Sequence, residues 1–327
     1  MSVVAPFSPA VLQIDAAAEV DRLIAGIRNV LRDVRRRGVI VGMSGGVDSS
    51  VVAALAAKAV GAQRVIGLML PEPESSADSL VLGQQLASAL GIRAIVEAIG
   101  GILTAAGCYR RRDEAVRSVV PEYGEGWRCK IVLPDDLVAG AGYAIYAIAV
   151  RSPSGDERRV RLPLDAYLGV LAATNMKQRV RTLVEYTHAD RYHYAVAGTP
   201  NRLEYDQGFF VKQGDGAADF KPIAHLYKSQ VYQLAKYLGV PEAILMRQPT
   251  TDTYPLEQSQ EEFYFGLSLE QTDLCLYALD HDVPTDAVSE ATGLTPDQVV
   301  QAFRMIERKR EVARYLHMAP VLFDGHD

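Results

Sequence analysis

The sequence predicts an α/β protein: a doubly wound parallel sheet carrying a β-hairpin-containing insertion and a helical C-terminal tail. Three observations predict it. Short apolar runs alternate with stretches of helical periodicity, a glycine-serine turn joins the first run to the stretch after it, and 49% of the 327 residues are hydrophobic. Strands that alternate with helices form a parallel sheet buried on both faces, with right-handed crossovers. Ligands bind such sheets at the carboxyl ends of the strands, near a topological switch point.

From Asp15 to Arg37 the apolar residues Val20, Leu23, Ile24, Ile27, Val30, Leu31 and Val34 recur at three and four. This spacing predicts an amphipathic helix with Asp15 as N-cap, ending at Gly38. Val39 to Met43 is too short for a helix and reads as a strand, followed by a Ser/Gly turn and a helix beginning near Ser49. The alternation continues with a strand at Arg64 to Leu70, a helix from about Asp78 to Leu90 and a strand at Arg93 to Ile99. Further on come a helix around Met176 to Tyr186, a strand at Tyr194 to Ala197 and a helix from Lys228 to Leu238.

The stretch 101–173 breaks this rhythm and reads as an insertion. Within it, Tyr143 to Val150 and Arg158 to Leu164 flank the turn-rich Ser152-Pro153-Ser154-Gly155-Asp156, which predicts a hairpin. The insertion also holds Tyr109 to Arg112 and the segment Tyr123 to Lys130, with the only tryptophan, Trp127. Such residues would cover an active site as a lid or pack against a neighbouring subunit. Helices are expected at Thr285 to Thr292 and Thr295 to Arg308, each opening on a capping threonine, the second with Pro296 at its first position. Residues 311–327 are read as a tail.

Composition excludes several classes. No apolar run approaches the roughly 20 residues of a spanning helix. The N-terminal residues lack the basic and apolar regions of a secretory signal, so a cytoplasmic protein is expected. Cys108, Cys129 and Cys275 are too scattered for a disulfide framework or a CxxC metal site and read as reduced thiols. A net charge of −6 argues against a general nucleic-acid binder.

The chemistry concentrates in Ser44-Gly45-Gly46-Val47-Asp48-Ser49-Ser50. Paired glycines let the backbone approach an anion, the serines add hydroxyl donors, and the helix that follows contributes unpaired N–H groups and a positive dipole end. The lysine of a Walker A loop is missing and Asp48 is present. A carboxylate beside phosphate implies a divalent cation between them.

This loop, set between strand and helix, resembles the signature of the N-type ATP pyrophosphatases, which transfer AMP from ATP to a substrate and release pyrophosphate. Among them, the second half of the chain is similar to the NAD synthetase family. The matching residues are Asn175, Arg179, Gly198, Thr199, Glu204, Gly208, Phe209, Lys212, Gly214, Asp215, Asp219, Pro222, Ile223 and Lys228, with Pro249-Thr250 and Gln258 to Glu262 further on. The resemblance spans about residues 15–100 and 173–310, and makes residues 1–310 one domain of the adenine nucleotide alpha-hydrolase type around the insertion.

The resemblance implies the site. Residues 44 to 50 would hold the pyrophosphate part of ATP, with Thr199, Lys228 and Thr250 at positions that contact ATP. Asp48 and Glu204 match the two carboxylates on Mg²⁺. Arg179, Lys212 and Asp219 match positions facing deamido-NAD. Asp48 and Lys228 would carry the catalysis: Lys228 can steady charge developing on phosphate oxygens, and no protein nucleophile is required. Arg308 and Lys309 stand where the family places a His-Lys pair, so the imidazole is missing there. Only 37 residues precede Gly38, and the first cysteine is Cys108. Free ammonia, or ammonia from a separate glutaminase chain, is therefore expected as the nitrogen donor, in a homodimer as is general in the family. Two other readings stay open: an amide-forming enzyme of the same chemistry acting on another carboxylate, and a non-catalytic adenine-nucleotide sensor.

Overall fold

The computed structural model describes residues 6–132, 147–248, 254–256 and 266–323. Helix α1 (Ala16–Asp33) is capped by Asp15, whose carboxylate accepts from the N–H groups of Ala17 and Ala18 at 3.0 Å. It buries Val20, Leu23, Ile27 and Leu31 along one stripe. The helix closes at Asp33, before Gly38, and Arg35 turns the chain at a φ of +53°. Gly38 serves another purpose: a Cβ there would stand 2.3 Å from the Arg64 carbonyl and 2.5 Å from the Tyr194 ring. It lets the chain enter the sheet.

The chain then alternates through β1 (Val39–Gly42), α2 (Val47–Val60), β2 (Val65–Met69), α3 (Ala77–Leu90) and β3 (Arg93–Val96). Two short helices follow, α4 (Gly100–Ala105) and α5 (Cys108–Arg117), inside the stretch expected as insertion. Next comes an antiparallel sheet of β4 (Arg128–Val132), β5 (Ala147–Arg151) and β6 (Glu157–Arg161) in the order β4-β5-β6. The β5–β6 pair is the expected hairpin, closed by the Ser152 N–H on the Asp156 carbonyl; Tyr143 to Tyr146 lie outside the described residues. Trp127 packs with Tyr123 in the core of this small sheet.

Helix α6 (Leu164–Tyr192) is far longer than its periodicity suggests. Its buried stripe at Ala166, Val170, Ala173, Thr174, Lys177, Val180 and Val184 keeps helical spacing, yet small and polar residues occupy half of it, which erases the apolar signal. After it come β7 (Ala195–Ala197), α7 (Arg202–Gln207), α8 (Lys228–Leu238), α9 (Glu242–Leu245), α10 (Leu269–Asp280), α11 (Thr285–Thr292) and α12 (Pro296–His317). Pro284, not Thr285, is the N-cap of α11, with no side-chain hydrogen bond. Thr295 caps α12 in a reciprocal pair with Gln298, and α12 continues through the stretch expected to begin the tail.

All four strands of the main sheet are parallel, in the order β3-β2-β1-β7. Alternate residues face opposite layers, as the period of a strand demands. Val39, Val41, Val65 and Met69 pack with α1, α2 and α8, whereas Ile40, Ile66, Leu68 and Val196 pack under α6. From β1 the chain leaves through α2 toward β2, and it returns through α6 to β7 on the other side of β1. The carboxyl ends of β1 and β7 therefore flank the switch point. No described helix is long and apolar enough to cross a membrane.

Candidate active site

The loop after β1 fills the switch point. Gly45 has a φ of +73°, and Gly46 is the N-cap of α2 with no side chain capping the helix. The first N–H groups of an α-helix have no intrahelical acceptor, so this end is open to an anion. Val47 sends its side chain into the core and offers only backbone. The hydroxyls of Ser49 and Ser50 donate to the Gly46 carbonyl at 3.1 and 2.8 Å, which tightens the turn, while Ser44 is exposed. Arg247 braces the loop, donating to the Ser44 carbonyl at 3.3 Å and to the Ser79 hydroxyl at the start of α3 at 2.9 Å.

Three elements converge on Asp48. Its Oδ2 accepts from the Lys228 ammonium at 2.5 Å, and its Oδ1 accepts from the Asn201 amide at 3.0 Å. Asn201 is the N-cap of α7: its Oδ1 accepts from the Glu204 N–H at 3.2 Å, and a Glu204 carboxylate oxygen accepts from the Asn201 N–H at 3.1 Å. Asn201 thus links Asp48 to Glu204, 156 residues later in the chain. The Lys228 side chain is 2% exposed. Burial works against its charge, but the Asp48 and Glu204 carboxylates outweigh burial and hold its pKa above the ordinary lysine value.

Lys228 opens α8, and Asp273 of α10 fixes that end by accepting from the Lys228 and Ser229 N–H groups at 3.1 and 2.8 Å. Burial lifts the Asp273 carboxyl from 3.8 to about 6 despite these donors. A raised carboxyl pKa means that the folded state holds a proton which the unfolded chain has released between these values. Its contribution to stability is therefore greatest below the unfolded value and declines as pH rises to about 6, by up to about 3 kcal/mol. Asp273→Asn is expected to remove this dependence, read by urea unfolding from pH 4 to 7; an unchanged slope would contradict it.

Other expected residues lie as follows. Thr199 is half-buried just beyond β7. Arg179, exposed on α6, donates to the Lys212 carbonyl at 3.3 Å, and the Lys212 ammonium donates to the Tyr315 carbonyl at 2.7 Å. Asp219 accepts from the Val196 N–H at 2.7 Å and from the Tyr186 hydroxyl at 3.4 Å, so its carboxylate extends the edge of β7. Arg308 is exposed on α12, and burial lowers the Lys309 pKa to about 7. Thr250 falls outside the described residues.

Sequence reasoning passed over Asn201, Asp273 and Arg247. Asn followed three positions later by Glu is a legible capping signature. Nothing local marks Asp273 or Arg247, whose partners are distant in the chain. Glu185 also went unnoticed; a Cβ on Gly42 would stand 2.3 Å from its carboxylate, and burial with the nearby Asp215 raises its pKa to about 7.

A parallel sheet with this glycine-serine loop at its switch point defines a doubly wound α/β protein whose candidate site lies at the carboxyl ends of β1 and β7. Within that class the chain belongs to the NAD synthase family, whose model matches residues 19–119 and 164–314. The match passes over residues 120–163, which contain β4 to β6. A protein of Rhizobium rhizogenes named NH(3)-dependent NAD(+) synthetase is 55% identical over 323 residues, covering 98% of this chain and 97% of the relative. One of the same name from Thermotoga maritima is 34% identical over 304 residues, 93% of this chain and 99% of the relative. Among solved structures, an NMN synthetase from Francisella tularensis aligns with a TM-score of 0.64 at 21% identity, covering 95% of this chain and all of that one. An NH3-dependent NAD synthetase from Campylobacter jejuni aligns at 0.61 and 20%, with the same coverage. These two share the fold.

Proposed function

We propose that this protein makes NAD from deamido-NAD, ATP and ammonia, releasing AMP and pyrophosphate. The observation that carries the reading is the buried Lys228, paired with Asp48 at 2.5 Å and acted on by the Glu204 carboxylate, with Asp48 in the first turn of α2, whose N-terminus no side chain caps. Such a site gathers fixed charges of both signs where a polyphosphate would lie.

The residues act in sequence. The N–H groups opening α2, with the loop Ser44 to Ser50, bind the phosphates that leave as pyrophosphate, and Thr199 borders the nucleotide; the family resemblance assigns Thr250 to ATP as well. The nicotinate carboxylate attacks the α phosphorus of ATP; an oxygen–phosphorus bond forms, the bond to the β phosphate's bridging oxygen breaks, and pyrophosphate departs with that electron pair. Lys228 steadies the negative charge that develops on the phosphate oxygens. Ammonia then attacks the acyl carbon; a carbon–nitrogen bond forms, the bond from that carbon to the phosphate-bearing oxygen breaks, AMP departs with its electron pair, and the nitrogen loses one proton. Arg179, Lys212 and Asp219 orient the dinucleotide, so that much of the acceleration comes from placing the reactants together. Arg308 and Lys309, which stand where the family places its His-Lys pair, are assigned to the same substrate.

The donor set suits magnesium. Asp48 and Glu204 are hard oxygen donors tied together through Asn201, and a cation, the Lys228 ammonium, already sits on Asp48. Magnesium is commonly bound by one or two carboxylates plus phosphate oxygens, and this number matches. Bound there, Mg²⁺ would neutralise the leaving pyrophosphate. The reading includes a homodimer in the cytoplasm, with ammonia taken up free or from a separate glutaminase chain.

Purified protein supplied with deamido-NAD, ATP, Mg²⁺ and ammonium tests the reading: NAD and pyrophosphate should appear in equal amounts, and their absence refutes it. The loop geometry gives a sharper check. A Cβ on Gly45 would stand 2.7 Å from the Ser79 carbonyl, at a φ of +73°. Gly45→Ala is expected to cost about 1–3 kcal/mol of stability and to raise KM for ATP by about tenfold. An unchanged KM would show that the loop does not hold the nucleotide.

A further inference from the structure

The loop that leaves the carboxyl end of β2, residues 71–76, turns two carboxylates inward. Glu72 is fully enclosed, and each of its oxygens is met. Oε1 accepts from the Lys177 ammonium of α6 at 2.8 Å; Oε2 accepts from the Tyr109 hydroxyl of α5 at 2.8 Å and from the Glu74 N–H at 3.0 Å. The same ammonium donates to Glu74 at 2.5 Å, and Arg112 of α5 meets the other oxygen of Glu74. Lys177, with 1% of its side chain exposed, thus ties two residues of one loop to α6. Burial works against the Glu72 charge, yet Lys177, the Tyr109 hydroxyl and the Glu74 N–H outweigh it and hold the carboxyl below its ordinary pKa.

Such a set of ions is an unusual way to hold a loop. Taking charges out of water is unfavourable, and an apolar set of like volume holds a structure as well or better. What charge-assisted hydrogen bonds add is direction, and here they reach both oxygens of both carboxylates. The backbone continues the constraint: the Ser75 N–H donates to the Glu72 carbonyl at 2.9 Å, and the Ile99 N–H donates to the Pro71 carbonyl at 3.0 Å. Beyond the loop the chain enters α3 at Ala77, and Ser79 meets the candidate site. The Ser79 carbonyl stands 2.7 Å from the place of a Cβ on Gly45, and its hydroxyl accepts from Arg247, which also donates to the Ser44 carbonyl. A shift of Glu72 and Glu74 is therefore carried through the first turn of α3 to the loop Ser44 to Ser50.

We propose that Lys177 is a positioning residue for ATP: through Glu72 and Glu74 it holds residues 71–76, and by way of Ser79 the loop Ser44 to Ser50, in the form that takes the nucleotide. Arg112 and Tyr109 support the same carboxylates from α5. The inference rests on the NAD-forming reading, which lays ATP over that loop. Lys177 lies two residues from Arg179, which the same reading gives to the dinucleotide. Its loss should nevertheless weaken ATP alone, because its ammonium faces the loop after β2.

Lys177→Met in the full chain is expected to raise KM for ATP at least about tenfold, since a misplacement of about 1 Å outside the reaction centre can cost up to about a hundredfold. KM for deamido-NAD and kcat should stay within about twofold, the pattern of lost ground-state binding. KM does not depend on how much of the protein is folded, so reduced stability by itself leaves it in place. An unchanged KM for ATP, or an equal rise in both KM values, overturns the proposal. Should Lys177→Met not fold, Arg112→Gln decides: it leaves Lys177 on Glu72 and uncovers only Glu74, whose side chain is 14% exposed. KM for ATP should then rise at least about threefold with the other constants held, and no rise removes the proposal. Calorimetry with the α,β-methylene analogue of ATP, which resists cleavage at that bond, and no deamido-NAD is the independent measurement. Should the parent bind the analogue without making NAD from the true substrates, the NAD-forming reading fails, and Lys177 is judged on Kd alone. A weakening of about tenfold in Lys177→Met, or of about threefold in Arg112→Gln, upholds its role, and an unchanged Kd removes it. A parent that does not bind the analogue removes both.

Discussion

Asp48→Ala is expected to lower kcat for NAD formation by at least about 10³-fold, measured as NAD and pyrophosphate released with saturating ammonium. Two losses combine. The substitution removes one of the two carboxylates suited to Mg²⁺, and it frees the Lys228 ammonium from the oxygen that holds it at 2.5 Å. Preorganised charge is typically the largest single contribution to catalysis, and removing one donor alone costs about 10²–10³. Stability should fall as well, because Lys228 would stay buried with only Glu204 to balance it. Breaking a buried pair by removing one partner costs about 3–5 kcal/mol, and the remaining carboxylate puts this case near the lower end. Asp48→Asn separates charge from contact, since an amide can still meet Asn201. Activity within tenfold of the parent in either variant would remove Asp48 from the mechanism. A sensor of adenine nucleotides would show no turnover in the parent at all.

Lys228→Met is expected to reduce kcat by at least about 10²-fold while leaving the protein folded. Methionine matches the buried stem of lysine, so the packing of α8 persists, and Asp273 caps the helix through backbone N–H groups that the substitution does not touch. What disappears is the positive charge between Asp48 and Glu204. Their mutual repulsion should then make activity depend more steeply on Mg²⁺ concentration than in the parent. Steady-state kinetics over a Mg²⁺ series, with thermal unfolding as control, would decide. A variant with parental kcat, or one that loses activity only because it unfolds, would contradict the role assigned to Lys228.

Much of the fold was legible because strand and helix periods differ and each segment of the main sheet keeps its own. Val39 to Gly42, Val65 to Met69 and Ala195 to Ala197 are apolar at every position or nearly so, as strands buried on both faces must be. Elements failed to show wherever the buried stripe was not apolar. Helix α5 buries Cys108, Arg112 and Val116, and α6 buries Thr174 and Lys177. These charges are neutralised by the loop after β2: Lys177 meets Glu72 at 2.8 Å and Glu74 at 2.5 Å, and Arg112 also meets Glu74. A pattern built on hydrophobicity cannot register a helix whose inner face is paired ionically. Strand β4 escaped because Arg128 and Lys130 interrupt it, leaving no continuous apolar run of the kind that marks β1 and β2.

The sequence by itself determined the sheet class, the loop Ser44 to Ser50 and the family resemblance, since each depends on residues close together in the chain. Turn geometry, capping and amphipathic spacing are local, and local rules suffice to read them. Only the tertiary structure decided that Asn201 joins Asp48 to Glu204, that Asp273 seats Lys228 and that Arg247 braces the loop. These pairings cross up to 203 residues. A hydrogen bond or a buried charge acts over a few ångströms regardless of chain separation, and the parallel sheet, by bringing the carboxyl ends of β1 and β7 together, sets which residues come within that range.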